Sequence, residues 1–339
     1  MSVLFTPFAA GPVLLKNRVV MPPMASRAAD GGMLTTEHLD YYLPRAEAGT
    51  GLIITEHMYV DRRGMADPHQ LAIDSDDRIP GLSKLTRLTR NAGARIIAQI
   101  SHAGSMAHQR VTGMTPVSSS DVLSPTMSST EVPEELTVPE IRELVGKFRD
   151  AAVRAQKAGF DGVDVHSAHG YLLDQFFSPL ANKRHDAYGR DSVENRVRIH
   201  CEILRAIRES TGPAFLIALR LGGSDYMNGG ATVEDAAKAV PLLREAGMDL
   251  LDISGGMNGY TISGRKDPGW FRDIAEAVRG TAAGRDLPIL LTGGIKKPED
   301  AETLLQSGIC DLVGVGRAMR RYPDWTARAW DEMESKQNH

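Results

Sequence analysis

The sequence predicts a single (β/α)8 barrel, a TIM barrel, that spans residues 1–339. Short apolar runs alternate with amphipathic helical patterns along nearly the whole chain, and this alternation is typical of repeated strand–helix units around a parallel sheet. Eight such units in 339 residues suit this barrel, whose active site lies at the carboxyl ends of its strands. A doubly wound sheet is the competing fold, but no G-x-G-x-x-G motif follows any predicted strand.

The predicted elements follow one another in regular order. Residues 3–17 are expected to form a small hairpin that closes the bottom of the barrel. Strands are predicted at 17–23, 51–56, 94–100, 160–166, 214–220, 248–254, 287–292 and 310–315. Helices are predicted at 37–48, 81–92, 138–158, 193–210, 233–246, 269–279, 298–306 and 323–334. Residues 101–133 show no sustained period, so they are expected to form a long loop after the third strand that overhangs the active face.

The composition of the chain argues against several classes of partner and cofactor. The net charge is -4, and without a dense Lys/Arg run we expect neither nucleic acid nor an anionic membrane as a partner. The two cysteines, Cys201 and Cys310, form no C-x-x-C pair, which argues against disulfides and iron–sulfur clusters. The start of the chain lacks a signal-peptide pattern, and no apolar run is long enough to span a membrane. A cytoplasmic protein that acts on a small molecule is expected, and its exposed helices and charged tail are compatible with a homo-oligomer.

At seven of the eight predicted strand ends, the apolar run is followed by residues that a buried strand does not require. Glycines follow the last two strands, at Gly293, Gly294 and Gly316, and Arg317 comes next. Loops after the seventh and eighth strands of this barrel commonly bind phosphate through backbone N–H groups. The pattern therefore predicts a cofactor or substrate that carries a phosphate. The other such residues are Pro22 to Ala25, Glu56, His57, Gln99, Ser101, His102, His166, His169 and Arg220.

The stretch from Phe160 to Gly189 contains the closest grouping of residues that can donate or transfer a proton. A short apolar strand ends in His166, and His169 and Tyr171 follow on either side of Gly170. A chain that turns at this point can bring both imidazoles to one side, where they could hold a carbonyl oxygen beside a phenol that delivers a proton. A structural role and a metal site remain open, although no third ligand follows at metal-binding spacing.

Several motifs together identify the family that the chain resembles. The specific match is HSAHGYLLDQFFSPLANKRHDAYGRDSVENR, supported by NRVVMPPM, GLIITE, AQISHAG, ALRLGGSDY and DLVGVGRAMRRYPDW. Along essentially its full length the chain resembles the Old Yellow Enzyme family of FMN-dependent ene-reductases. It is most similar to the bacterial branch that contains xenobiotic reductases and the barrel domain of 2,4-dienoyl-CoA reductase.

The resemblance implies an FMN enzyme reduced by NADH or NADPH, which then reduces an electron-poor C=C bond. It implies that His166 and His169 hold the substrate oxygen, that Tyr171 supplies the proton and that Arg27 contacts substrate. A fixed guanidinium near the flavin pyrimidine would stabilise the reduced ring. The residues that it assigns to FMN are Pro23, Met24, Ala25, His57, Gln99, Arg220, Gly293, Gly294, Gly316 and Arg317.

The chain departs from the family pattern at three positions. Ala25 replaces the usual Thr or Cys beside the flavin, Arg27 replaces a tyrosine, and Ser105 stands where a basic residue is common. Two alternatives stay open. One is an FMN-dependent amine demethylase or dehydrogenase on the same barrel, since the flavin site serves both directions. The other is a phosphate-binding lyase or isomerase, which would need a Schiff-base lysine or a metal carboxylate at a strand end.

Overall fold

In the computed structural model, which describes residues 2–125 and 131–337, eight parallel strands close into a barrel. Each strand pairs with its neighbour in sequence order, and the last strand pairs with the first. The strands are β1 (Val19–Met21), β2 (Leu52–Ile54), β3 (Arg95–Ser101), β4 (Gly162–Ser167), β5 (Leu216–Gly222), β6 (Leu250–Ser254), β7 (Ile289–Thr292) and β8 (Leu312–Gly314). The predicted (β/α)8 barrel is therefore confirmed, and all eight strands lie inside or within two residues of the predicted ranges.

Helices separate the strands and cover the outside of the barrel. They are α1 (Thr36–Glu47), α2 (Ile79–Asn91), α3 (Gln109–Thr112), α4 (Val138–Lys157), α5 (Leu172–Phe177), α6 (Val193–Arg196), α7 (Arg198–Thr211), α8 (Val233–Glu245), α9 (Arg272–Arg279), α10 (Pro298–Gln306), α11 (Arg317–Arg321) and α12 (Trp325–Gln337). Their buried faces carry apolar side chains at helical spacing, as α7 shows with Ile199, Ile203 and Ile207. This pattern buries one stripe of each helix against the sheet.

Two predicted helices differ from the observed ones. The helix predicted at 193–210 is interrupted at Val197, whose dihedral angles of φ -97° and ψ 2° leave the helical region between α6 and α7. The helix predicted at 269–279 starts only at Arg272. The expected first turn of this helix does not form, because the N–H groups of Gly269 and Trp270 donate to the carbonyl of Gly293 at the end of β7. Side-chain periodicity cannot reveal such a competing tertiary bond.

The hairpin at the start of the chain closes the barrel as predicted. Phe8–Ala10 pairs antiparallel with Val13–Leu15. Its buried residues Ala10, Val13 and Leu15 belong to one apolar cluster with inward-facing barrel residues such as Leu216 and Leu290. Apolar side chains therefore seal the lower half of the barrel, and the polar groups inside it lie nearer the carboxyl ends of the strands.

The long segment between β3 and α4 is less irregular than predicted. It contains a 3-10 turn at Gly104–Met106, the short helix α3, and a parallel pairing of Val117–Ser118 with Glu134–Glu135. Met106 and His108 of this segment line the same cavity as Tyr171, which places the segment over the active face. Residues 126–130 of the predicted loop lie outside the described residues. Cys201 and Cys310 are buried free thiols, and no described helix is long and apolar enough to cross a membrane.

Candidate active site

A cluster of three rings forms where β4 runs into the following loop. His166 lies on β4, and His169 adopts a left-handed backbone with φ of 60°, followed by Gly170 with φ of 75°. This tight turn brings the His166 and His169 ring centroids to 5.3 Å and those of His166 and Tyr171 to 4.8 Å. A left-handed conformation is costly for a residue with a side chain, and such strain tends to collect at functional sites. The turn thus places three predicted site residues together.

Burial sets the protonation state of this cluster. It lowers the pKa values of His166 and His169 well below their usual range, and the positive charge of Arg220 acts in the same direction on both. Burial likewise raises the pKa of Tyr171 to about 12. At neutral pH the imidazoles are therefore uncharged and the phenol is protonated. Each ring can donate one hydrogen bond, and the tyrosine holds a transferable proton.

Neighbouring side chains orient two of the imidazoles. His169 Nε2 lies 2.6 Å from Ser254 Oγ at the end of β6. When the Ser254 hydroxyl donates this bond, the His169 proton resides on Nδ1, which is then the nitrogen that can donate to a ligand. The Gln70 amide donates to His57 Nδ1 at 2.6 Å, which keeps the His57 proton on Nε2. His57 itself lies beside the cluster, with its ring centroid 5.4 Å from that of Tyr171.

A cavity of about 220 Å³ opens beside Tyr171. Arg27 stands at this cavity with an unusual positive φ of 59°, and its Nε pairs with Asp67 Oδ2 at 3.2 Å. Glu56 accepts bonds from the N–H and hydroxyl of Ser26, which ties down the loop that carries Arg27. The residues that line the cavity are Ala25, Arg27, Glu56, His57, Ala66, Asp67, His69, Gln70, Met106, His108 and Tyr171.

The predicted phosphate cradle lies across the barrel mouth from the histidine cluster. Gly293 and Gly294, directly after β7, have φ values of 103° and 73°, which strongly favour glycine. Gly316 follows β8, and a Cβ built on it would contact Met24 Sδ at 3.5 Å, so the segment after β1 adjoins the cradle. Arg317 has no carboxylate partner within the described residues. Pro23 lies in the same segment after β1 and is half-buried.

Four buried polar side chains form two pairs near the mouth, on strands β3 to β6. Gln99 donates to Asp164 Oδ2 at 2.7 Å, and Arg220 Nε lies 3.5 Å from Asp252 Oδ2. Burial raises the pKa of Asp252 to about 6, although Arg220 opposes this shift, and burial plus the nearby Asp252 charge raises the pKa of Asp164. Within the described chain Arg220 Nε and both Asp252 oxygens have no hydrogen-bond partner.

These residues fit FMN as a resident group. A cradle in which Gly293 and Gly294 adopt backbone angles that favour glycine, beside the Arg317 guanidinium, suits one phosphate. The Arg220 guanidinium, buried beside Asp252 at the carboxyl end of β5, places a positive charge where the resemblance puts the electron-rich pyrimidine edge of the reduced flavin. Among residues 2–125 and 131–337, no group of three or more His, Cys, Asp or Glu side chains is arranged to hold a metal ion.

Several residues of the site are absent from the sequence prediction, among them Ser254, Asp164, Asp252 and Trp270. Ser254 ends the sixth strand, the one strand end for which no polar residue was named, and it could have been found by extending that pattern. Asp164 and Asp252 interrupt otherwise apolar strands, and a carboxylate inside a buried strand is itself a signal. Trp270 adjoins the glycine cradle, and no local pattern points to it.

The fold and this mouth define a flavin-binding (β/α)8 oxidoreductase, and comparison with known proteins supports that class. The sequence profile of the NADH:flavin oxidoreductase / NADH oxidase family matches residues 3–336. The chain therefore belongs to this family. This confirms the resemblance to Old Yellow Enzymes, and with it FMN as cofactor and NADH or NADPH as reductant.

Individual relatives agree with this assignment. The chain is 38% identical over 342 residues to "NADH oxidase" of Thermoanaerobacter brockii, covering 99% of this chain and 51% of the relative. It is 38% identical over 344 residues to "NADPH dehydrogenase" of Geobacillus thermodenitrificans, covering 99% and 96%. A solved 2-naphthoyl-CoA reductase in complex with 2-naphthoyl-CoA matches with a TM-score of 0.90 at 28% identity, covering 98% of this chain and 52% of that one. The chain thus spans about half the length of some relatives and nearly all of others.

Proposed function

We propose that the protein uses NADH or NADPH to reduce the activated C=C bond of α,β-unsaturated carbonyl compounds. The observation that carries this proposal is the pair of neutral imidazoles, His166 and His169, beside a protonated Tyr171 at the barrel mouth. Two neutral donors and a proton source match what alkene reduction requires of a protein. Bound FMN would supply hydride transfer from the nicotinamide to the substrate β-carbon.

The histidines activate the substrate. Their N–H groups donate to the carbonyl oxygen, which draws electron density from the double bond and stabilises the enolate that develops after hydride arrives. Because both imidazoles are uncharged, they polarise the oxygen without adding a full positive charge beside the substrate. Tyr171 then gives its proton to the α-carbon, which completes the addition of one hydride and one proton.

The predicted flavin ligands support this arrangement. The cradle of Gly293, Gly294, Gly316 and Arg317 would hold the phosphate. Arg220 would compensate the negative charge of the reduced ring, and Asp164 would orient the amide of Gln99 towards its pyrimidine edge. Pro23, Met24 and Ala25 would line the flavin edge and His57 the substrate side.

The second candidate is an FMN-dependent amine demethylase or dehydrogenase. Arg27 by itself favours neither substrate reduction nor amine oxidation, since its guanidinium could contact an acidic substrate in either reaction. The paired neutral donors favour reduction, because an amine needs an acceptor or a base rather than two N–H groups. A cytoplasmic location, a homo-oligomer and the absence of nucleic-acid and membrane partners remain predictions.

The deciding experiment follows the two half-reactions separately. Purified protein should be yellow and should release FMN on denaturation. Under anaerobic conditions NADH or NADPH should bleach the flavin within seconds, and an enone, enoate ester or α,β-unsaturated thioester should restore its colour. If methylamines bleach the flavin and no electron-poor alkene reoxidises it, the reaction runs in the other direction and the ene-reductase proposal is wrong. Colourless protein that takes up no FMN would exclude both candidates.

A further inference from the structure

Trp270 lies against the glycine cradle although it belongs to a different loop. This loop joins β6 to α9, and it ends in a close contact with β7. The N–H groups of Gly269 and Trp270 donate to the carbonyl of Gly293 at 2.7 and 3.4 Å. The contact fixes the backbone of Trp270 beside the segment that is predicted to hold the phosphate.

The indole side chain packs directly on the two glycines. A Cβ built on Gly293 would lie 2.9 Å from Trp270 Cβ, and one built on Gly294 would lie 2.5 Å from Trp270 Nε1. These separations are shorter than real carbon contacts, so the glycines are required by the indole as well as by their positive φ values. The N–H edge of the indole therefore faces Gly294 at the cradle.

The indole nitrogen is buried, yet it has no hydrogen-bond acceptor among the residues that the structure describes. Trp325 shows the usual outcome, because its Nε1 donates to the carbonyl of Lys296 at 2.9 Å. An indole N–H can only donate, and leaving it buried without an acceptor costs free energy. An acceptor from outside the described chain would satisfy this N–H.

The charge around the indole indicates what that ligand is. The Arg317 guanidinium carbon lies 4.8 Å from the Trp270 ring centroid, a cation–π distance that holds the cation beside the cradle. The indole N–H, the guanidinium and the glycine backbone thus converge on one small region. Two kinds of donor beside a fixed cation suit an oxyanion with several acceptor oxygens.

We propose that the Trp270 indole N–H donates a hydrogen bond to the phosphate of FMN, and that the Trp270 ring positions Arg317 for the same phosphate. This role makes Trp270 a cofactor ligand from a third loop, in addition to the loops after β7 and β8. It rests on FMN binding and not on the identity of the substrate. The role of Trp270 can therefore be tested independently of the ene-reductase proposal.

The test compares FMN with riboflavin, which has the same ring and ribityl chain but no phosphate. Trp270→Phe keeps an aromatic ring for packing and removes the N–H. Its FMN dissociation constant, measured by quenching of flavin fluorescence on reconstitution, should rise about tenfold, the effect of losing one hydrogen bond to a charged group. Its affinity for riboflavin should stay within about twofold of the parent protein, since a neutral ligand without a phosphate lacks that bond. Trp330→Phe is the matched control, because Trp330 packs against Phe5 on the surface, and it should change neither affinity.

Two results would overturn the proposal. Equal weakening of FMN and riboflavin would show that the ring only packs, and unchanged FMN affinity would show that the N–H makes no contact. If Trp270→Phe does not fold, the unaltered protein decides the question by NMR. Its sequence contains three tryptophans, so one indole N–H resonance should move downfield in the FMN form relative to the riboflavin form. Identical indole spectra in the two forms would equally rule out the hydrogen bond.

Discussion

The larger cavity and the candidate reactive residues lie at opposite ends of the barrel. At the bottom, a groove of about 890 Å³ is lined by cationic residues that include Lys16, Arg87 and Arg95. At the mouth, the cavity beside Tyr171 has only about 220 Å³. The smaller cavity is lined by His57 and Tyr171, two half-buried rings with shifted pKa values, whereas Lys16, Arg87 and Arg90 at the larger groove are exposed. Perturbed groups in a small cavity indicate a reactive site better than open volume does.

The cations of the bottom groove have a structural explanation. Helices α2 and α4 both end there, and the last carbonyls of a helix attract positive side chains. Arg95 also pairs with Asp161 at 3.0 Å. At the mouth, by contrast, Arg220 faces the buried carboxylate of Asp252, and Arg317 lies over the ring of Trp270. The same residue type thus stabilises helix ends at one end of the barrel and can bind a cofactor at the other.

The largest expected effect comes from removing the paired donors at the mouth. His166→Ala or His169→Ala should slow alkene reduction by roughly 10²–10⁴-fold, because the developing enolate loses an oxyanion-type donor. FMN content should persist, since neither imidazole belongs to the phosphate cradle. His185→Ala provides the control, because His185 is exposed and lies outside the cluster. Loss of activity on addition of chelators, with a metal that co-purifies, would instead make the pair a metal site.

Tyr171→Phe should separate the two half-reactions. Flavin reduction by NADH or NADPH needs no proton from the phenol and should stay nearly unchanged. Reoxidation by an enone should slow by about 10²-fold, within the usual range for a lost general acid. Stopped-flow absorbance at the flavin band measures both rates. The matched control is Tyr260→Phe, which removes an exposed hydroxyl whose ring lies 5.9 Å from that of His169. Equal slowing of both half-reactions, or of neither, would remove Tyr171 from the role of proton donor.

A smaller effect should appear in the pH dependence. Since the pKa of Asp252 is raised to about 6, the carboxyl is protonated below that pH and no longer neutralises Arg220. The rate of flavin reduction should therefore rise a few-fold as the pH falls through about 6, because an uncompensated Arg220 cation favours the negatively charged reduced ring, and Asp252→Asn should abolish this inflection. His166 and His169 should not contribute to it, because their lowered pKa values keep them neutral down to more acidic pH.

The control for this pH profile is a carboxylate at the other end of the barrel. Asp161→Asn, at the bottom, should leave the inflection in place. An inflection that survives in Asp252→Asn would assign the titration to another group.

The smallest expected effect comes from the groove at the bottom of the barrel. The double change Lys16→Ala with Arg87→Ala removes two exposed cations of the larger groove and should leave FMN content and both half-reaction rates unchanged. Thermal unfolding should shift only slightly, since helix-end charges contribute less than about 1 kcal/mol each. A fall in FMN content or in either rate would mean that the bottom groove takes part in function.

The sequence by itself determined the architecture and located the candidate site at the carboxyl ends of the strands. Alternating strand and helix periods depend on local side-chain order, so eight units and their positions could be predicted within a few residues. The His166, His169 and Tyr171 set was also visible, because its members lie within six positions, at the end of β4 and in the loop that follows. The glycines at 293, 294 and 316 were predictable because they follow strands at the position where this barrel holds phosphate.

Only the tertiary structure decided how these groups are held. The partner of His169 is Ser254, 85 positions away, and the partner of Gln99 is Asp164, 65 positions away. Trp270 reaches the glycine cradle because its loop leaves the predicted helix to bond the carbonyl of Gly293. No periodic pattern encodes such contacts, since they depend on closure of the barrel and on which strand ends meet. That closure also selects which histidine nitrogen keeps its proton, and so which atom can meet a substrate.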